Sequence, residues 1–438
     1  MNKIIIAFVT VMIILAILLS IDYTPSTFQN DNILINPSKK NYSAISSEHF
    51  YHLEPILYNK DNSISLNDNR IVSSILMNNA DYTAKYIINL QNDFSYTYEY
   101  NNKSYTIPVI FLAINSNNKE IINVVLSNKH INKNIITKIN LIDNNNNSFA
   151  ASLSPLAYSV FTRNTYATEM LIKNGANVDL IISGNRTALF YANSKETIKL
   201  LLNNGANINA LSSQGNTALM QAVNRNNVDT ANELLDNGLN PNHYNNVHST
   251  PLIAAINKRN INMVKLLIEY GADVNMFTKK SQSPLMVAVT NADLNIFKLL
   301  IEKGADVNIA NNYGKTCMYY MQSNENHWII WRAMVEAVKN KIDINHQDIN
   351  GNTILHINPE RYLLYKELNP NLNIQNLQGD TPLHILVSNK DIVDKNIIAA
   401  YLENGANKNI KNNNKKTIYD IAKENNNEEI AKFILSYK

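Results

Sequence analysis

Nine histidines, one cysteine and a scatter of acidic residues are the groups through which this chain could do chemistry, and their spacing assembles no reactive set. Cys317 is the single cysteine, so no cysteine-based zinc site can form within one chain. The sequence contains no Gly-x-x-x-x-Gly-Lys-Ser/Thr phosphate loop, no Gly-x-Ser-x-Gly elbow and no His-Glu-x-x-His. His49 and His52 could share a metal, but on a predicted amphipathic segment their pairing reads as incidental. Asp348-x-Asn350-x-Asn352 opens like a calcium loop, yet it lacks the glycine at the sixth place and the distal glutamate. Asp143, followed by Asn144, Asn145, Asn146 and Asn147, has the same weakness. Cys317 reads as a small packed residue, and Trp328 and Trp331 as packing residues of a helix. The expectation is a protein that is not an enzyme and holds no cofactor and no metal.

The elements that would carry a different function come next. Hydrophobic residues make up 45% of the 438, enough for a continuous core, while charged residues make up only 17%. That is below the roughly 25% of ordinary soluble domains, and asparagine fills much of the gap. A formal net charge of +3 points to neither nucleic acid nor strongly acidic partners. One cysteine rules out an intrachain disulfide and leaves the redox compartment open.

Residues 4–21 are apolar except for Thr10 and Ser20. As a helix this stretch would reach roughly 27 Å, close to a bilayer core of about 30 Å. The exit, Leu18-Leu19-Ser20-Ile21-Asp22, offers no small-x-small cleavage site. An uncleaved membrane anchor is therefore expected over residues 1–21, with a cleaved signal as the alternative. Lys3 precedes the stretch and Asp22 follows it, which places the bulk of the chain in the periplasm or outside the cell. Residues 22–70 read as a polar spacer with a possible N-terminal cap.

Two signatures then recur in fixed phase. One is a Thr-Pro-Leu-like tripeptide, and about twenty residues later comes a Gly-Ala-Asp-Val-Asn-like turn. Thr250-Pro251-Leu252 pairs with Gly271-Ala272-Asp273-Val274-Asn275, and Ser283-Pro284-Leu285 with Gly304-Ala305-Asp306-Val307-Asn308. The tripeptide centres Pro155, Ala188, Ala218, Pro251, Pro284 and Cys317 are spaced by 33, 30, 33, 33 and 33 residues. Later copies begin near Ile354, Pro382 and Ile418, and faint earlier ones near Ile71 and Pro108. Threonine suits the N-cap, proline the first helical position, and Gly271 a left-handed helix end. Between Asn132 and Ser154 an insert of about fourteen residues reads as an exposed loop. The Ile354 copy is short and carries Pro359 and Pro370, which predicts a bend or gap.

These paired signatures resemble the ankyrin repeat, over roughly residues 71–438, in a bacterial protein with an N-terminal membrane anchor. The resemblance implies an all-α solenoid of helix pairs with short β-hairpin loops, preceded by a single transmembrane helix. Residues 71–154 would hold degenerate repeats with the Asn-rich insert, and residues 155–438 the regular array of about eleven units in all. In such arrays the hairpin tips and inner helices line a concave surface. The tip position, six residues after the turn glycine, is taken by Leu211, Tyr244, Phe277, Ala310, Gln347, Gln375 and Lys411. Two successive aromatics there single out Tyr244 and Phe277, with Lys279, Lys280, Tyr313 and Lys315 beside them and Arg225 and Lys258 at inner-helix ends. His356 and His384, each following a tripeptide head, are expected to hydrogen-bond backbone within the stack. The function expected is a membrane-tethered scaffold that binds a protein partner, with no nucleic acid and no small-molecule substrate. The alternative is a structural spacer or self-associating envelope protein.

Overall fold

In a computed structural model of the chain the described residues are 71, 74–75, 78–87, 95–100, 103–142, 148–278, 281–320, 328–389 and 394–437. The apolar stretch 4–21, the spacer 22–70 with His49 and His52, the 143–147 tract, Lys279 and Lys280 lie outside them. Among the described residues no helix is long and apolar enough to cross a membrane. The described residues divide into two compact units, those up to 222 with 229–239, and 223–228 with those from 240 onward.

In the first unit α1 (Ala80–Ile87) leads to a hairpin of β1 (Ser95–Tyr100) and β2 (Lys103–Pro108), antiparallel with Tyr98 opposite Tyr105. The pair α2 (Val109–Ser116) and α3 (Lys119–Ser127) follows. The insert expected as a loop is instead a second hairpin. Strands β3 (Thr137–Ile142) and β4 (Ser148–Leu153) pair from Thr137 opposite Leu153 to Ile142 opposite Ser148. Ile139 and Leu153 are buried, so the base of this hairpin is anchored in the core, and antiparallel strands need only a short connection.

Helices α4 (Pro155–Phe161) and α5 (Thr165–Lys173) show how local sequence sets the frame. The Ser154 hydroxyl accepts from the Ala157 amide at 3.1 Å, with Pro155 in the first turn. Asn164 caps α5 through the Ala167 amide at 2.9 Å and donates to the Ile114 carbonyl of the preceding pair at 3.0 Å. One carboxamide thus starts a helix and ties it to its neighbour. Tyr158 is fully buried, its ring 5.4 Å from Phe111 and its hydroxyl 3.1 Å from Asn115 Oδ1. After α5 the inner helix shrinks to a 3-10 turn, Ala188–Tyr191, before α6 (Lys195–Asn203). The short step of 30 residues from Ala188 to Ala218 is taken from this helix. The unit closes with α7 (Ala218–Asn224) and α8 (Val228–Asp236), where Lys195 reaches the buried Glu233 carboxylate at 2.9 Å.

The second unit begins with two regular pairs, α9 (Pro251–Asn257) with α10 (Ile261–Glu269), and α11 (Pro284–Thr290) with α12 (Leu294–Glu302). Thr250 and Ser283 cap the inner helices by accepting from the Ile253 and Met286 amides. A 3-10 turn, Cys317–Tyr320, then precedes α13 (Trp328–Val338). In the short copy, α14 (Ile354–Ile357) is followed by 3-10 turns Pro359–Arg361 and Lys366–Leu368 around α15 (Tyr362–Tyr365). Proline at 359 has no amide to continue a helix, and buried Tyr362, Tyr365 and Tyr401 fill the interior instead. Tyr401 donates to the Pro359 carbonyl at 2.9 Å, and Arg361 lies 4.6 Å over the Trp331 ring. A groove of about 330 Å³ lies between α13 and residues 363–368, lined by Arg332, Glu336, Leu363 and Glu367 among others. Two further pairs follow, α16 (Pro382–Ser388) with α17 (Lys395–Glu403), and α18 (Ile418–Glu424) with α19 (Glu428–Ser436).

Candidate interaction surface

The surface is built by the hairpins that join helix pairs in the second unit, and asparagine side chains hold those hairpins in register. Asn242 donates to the Gly271 carbonyl at 2.9 Å and accepts from the Asp273 amide at 2.7 Å. Asn275 does the same to Gly304 and Asp306 at 3.4 and 2.9 Å, and Asn308 to Lys341 and Asp343 at 2.7 and 2.8 Å. Asn373 repeats the pattern on Gly405 and Asn407 at 3.0 and 2.8 Å. A carboxamide serves because it carries a donor and an acceptor on one rigid plane, matching one carbonyl and one amide two residues apart.

Towards the tips the backbones themselves join. The Tyr313 carbonyl accepts from the Ile349 amide at 3.2 Å, Asn350 from Leu377 at 3.0 Å, and Gln378 from Asn413 at 3.1 Å. Gln347 and Gln375, read from the sequence as projecting tip residues, are exposed, and they donate to the Gly351 and Gly379 carbonyls of their own hairpins at 2.6 Å. Each also reaches the next hairpin, at Gln375 O (3.3 Å) and Lys411 O (3.0 Å). Asp348 is buried, its Oδ1 accepting from the Asn350 and Asn352 amides at 2.8 and 2.9 Å. The calcium-like spacing is therefore that of a closed turn. Among the described residues no group of three or more His, Cys, Asp or Glu could hold a metal ion.

Tyr244 stands 52% exposed, its ring stacked at 6.2 Å on His243 and tilted at 5.1 Å to His248. Phe277, expected to face solvent in the same way, is half-buried, and among the described residues no ring contact joins it to Tyr244. Tyr313 and Lys315 share one hairpin, both amides donating to Asn311 Oδ1 at 2.9 Å, with the Tyr313 side chain 58% exposed and Lys315 half-buried. Arg225 and Lys258 are exposed at the ends of α7 and α9. Lys279 and Lys280 lie outside the described residues.

Three exposed apolar tip residues escaped the sequence analysis: Val247 (66%), Ile349 (60%) and Leu377 (66%). The signal for the last two was their shared place two residues before the hairpin glycines Gly351 and Gly379.

The histidines act as expected. His356 Nδ1 accepts from the Thr353 amide at 3.0 Å, and its Nε2 lies 2.9 Å from the Asp380 carbonyl of the next repeat. His384 does the same with the Thr381 amide at 3.2 Å and the Lys416 carbonyl at 3.2 Å. Burial holds both imidazoles below their usual range, against the pull of nearby carbonyls and Asp380. At the equivalent place of the last copy Asp420 accepts from the Thr417 amide at 2.8 Å, which keeps its carboxyl below the usual range. Burial pushes the Cys317 thiol up to about 12, so it stays protonated and unreactive.

Capped helix pairs, left-handed turn glycines and hairpins in fixed phase define a repeat protein, and its sequence says which kind. The chain belongs to the ankyrin-repeat family. The profile "Ankyrin repeats (3 copies)" matches residues 110–212, 156–245, 192–278, 219–311 and 285–358, and the profile "Ankyrin repeat" matches 378–413. Ankyrin repeats generally mediate protein–protein interaction. Among solved structures the chain is similar to the human ASB11 ankyrin repeat domain, at 22% identity over 52% of this chain and 96% of that one, with a TM-score of 0.43. It is also similar to the ankyrin repeat domain of Bcl-3, at 23% identity over 57% and 98%, with a TM-score of 0.42. No curated protein matches the chain.

Proposed function

We propose that this chain is a protein-binding scaffold whose partner docks on the hairpin tips, and that residues 4–21 tether it to a membrane with the array in the periplasm or outside the cell. The observation that carries the binding role is the exposure of Tyr244, Val247 and Tyr313 on tips whose backbone polar groups are already engaged. Such side chains add contact area to a partner at little ordering cost, because the turns beneath them are fixed. A photo-crosslinking residue placed at 244 or 313 in the native cell should capture one protein in stoichiometric amount. A spacer would give no such product, and its absence would overturn the binding role. The tether has its own test. Removing residues 1–21 should release the protein from membranes with its helix content intact, and retention of the truncated form in the membrane fraction would overturn it.

A further inference from the structure

We infer that the joined tips from Tyr313 to Lys415 bind an acidic segment of a partner protein, one that carries apolar side chains between carboxylates; this rests on the protein-binding role proposed above. Four successive hairpins meet there through backbone hydrogen bonds, Ile349 donating to Tyr313, Leu377 to Asn350 and Asn413 to Gln378. Glycine permits the contact. A β-carbon at Gly314 would lie 2.9 Å from the Asp348 Cα, and one at Gly351 would lie 3.0 Å from the Leu377 nitrogen. At the equivalent place of the fourth hairpin Lys415 holds φ at 59° and carries a full, exposed side chain. Tyr313, Ile349 and Leu377 are exposed on backbones that these hydrogen bonds fix, beside the exposed carboxamides of Gln347 and Gln375. Exposed apolar side chains rimmed by polar ones mark a docking surface, and here little ordering is left for a partner to impose.

Charge selects the occupant. The two acids of these tips, Asp348 and Asp380, are both engaged within the ribbon. Asp348 is buried and accepts from its own hairpin amides, and Asp380 Oδ1 accepts from Asn412 Nδ2 at 2.8 Å. Lys416 pairs with Glu424 at 2.6 Å, which leaves Lys315, half-buried on the first tip, and Lys411 and Lys415, exposed on the fourth. Asp420 feels the charge of Lys411, but its Oδ2 is already held by the Thr417 amide at 2.8 Å. Cations thus stand at both ends of the row of apolar side chains, and carboxylates on both sides of an apolar centre complement them. The net charge of +3 gave no sign of this, because acids elsewhere in the chain balance the sum. Nucleic acid and anionic lipid share the charge, but a row of phosphates would leave Ile349 and Leu377 unmatched.

The test uses the purified full chain and fluorescent synthetic peptides read by anisotropy in low and high sodium chloride. One peptide places two leucines and a phenylalanine between runs of glutamate. A second has serine for its apolar residues, and a third has lysine for its glutamates. At low salt the first should bind about ten-fold or more tighter than either of the others, and it should lose affinity at high salt. Ile349→Ser with Leu377→Ser should weaken it by about the same factor at both salts. Lys411→Gln with Lys415→Gln should weaken it at low salt and flatten its salt dependence. All four residues are exposed, so both variants should keep the original melting curve. Equal binding of the three peptides, no binding, or indifference to both pairs of substitutions would overturn the inference. So would tighter binding of a single-stranded oligonucleotide of equal charge, or of anionic lipid vesicles. Should a protein still crosslink through position 244 in the cell, the scaffold role would stand and only this ligand assignment would be lost.

Discussion

A β-carbon at Gly379 would lie 2.7 Å from the backbone nitrogen of Asn413, whereas at Gly271 it would meet nothing within 4 Å. Both glycines have positive φ, +76° and +85°, so both disfavour a side chain, but only Gly379 also holds two hairpins together. Gly271→Ala should cost about 1 kcal/mol and Gly379→Ala at least about 2 kcal/mol, measured by denaturant unfolding. The histidines make a pH prediction at the same scale. His356 and His384 are neutral in the folded state, with affinity for protons lowered by burial, while in the unfolded chain they titrate at about 6.5. The unfolded state therefore binds more protons as the medium is acidified. Their contribution is fully present above about pH 6.5 and is lost as the pH falls through the lowered folded values. Melting temperature should drop from pH 7 to pH 5, and less steeply in a His356→Gln, His384→Gln double variant. The histidine partners were legible in the sequence because Thr-x-x-His is a local pattern. The solvent exposure of Ile349 was not, because it depends on which way a tip turns.

Helix heads were the elements most readily read from sequence. Cap and first-turn proline lie within four residues of each other at Thr250 and Thr381, so their chemistry needs no distant partner. The hairpin of Thr137–Ile142 with Ser148–Leu153 was missed because an asparagine run marks a turn without saying that its flanks pair. The 3-10 turn at Ala188–Tyr191 was equally hidden, since it follows from packing four consecutive buried residues in a shortened repeat. Gln347 and Gln375 stand exposed at the tips, where the frame puts them, but their hydrogen bonds to the next hairpin could not be read from the frame. The asparagine bridges give an element-scale prediction. Asn308→Ala removes both the Lys341 and the Asp343 contacts and should cost about 1–3 kcal/mol, the net worth of two hydrogen bonds. Faster hydrogen exchange at the Asp343 amide would locate the loss at that junction.

For the whole molecule the repeat period was enough to assign the family, and it was silent on the division into two compact units. That division falls inside the helix pair of Ala218–Asn224 and Val228–Asp236, where the tripeptide spacing stays at 33 residues and gives no sign of a boundary. The asparagine bridges have a consequence for how the chain behaves in brine. Carboxamides carry no net charge, so these asparagine links are outside the reach of counterions, which screen interactions over about 10 Å at 0.1 M salt. The ion pairs that salt could weaken are largely between exposed side chains such as Lys173 with Glu169 and Lys339 with Glu336, and each contributes little. Thermal unfolding should shift by less than about 2 °C between 0.05 and 0.5 M sodium chloride. Hairpins held by uncharged carboxamides should keep their register across that range of salt.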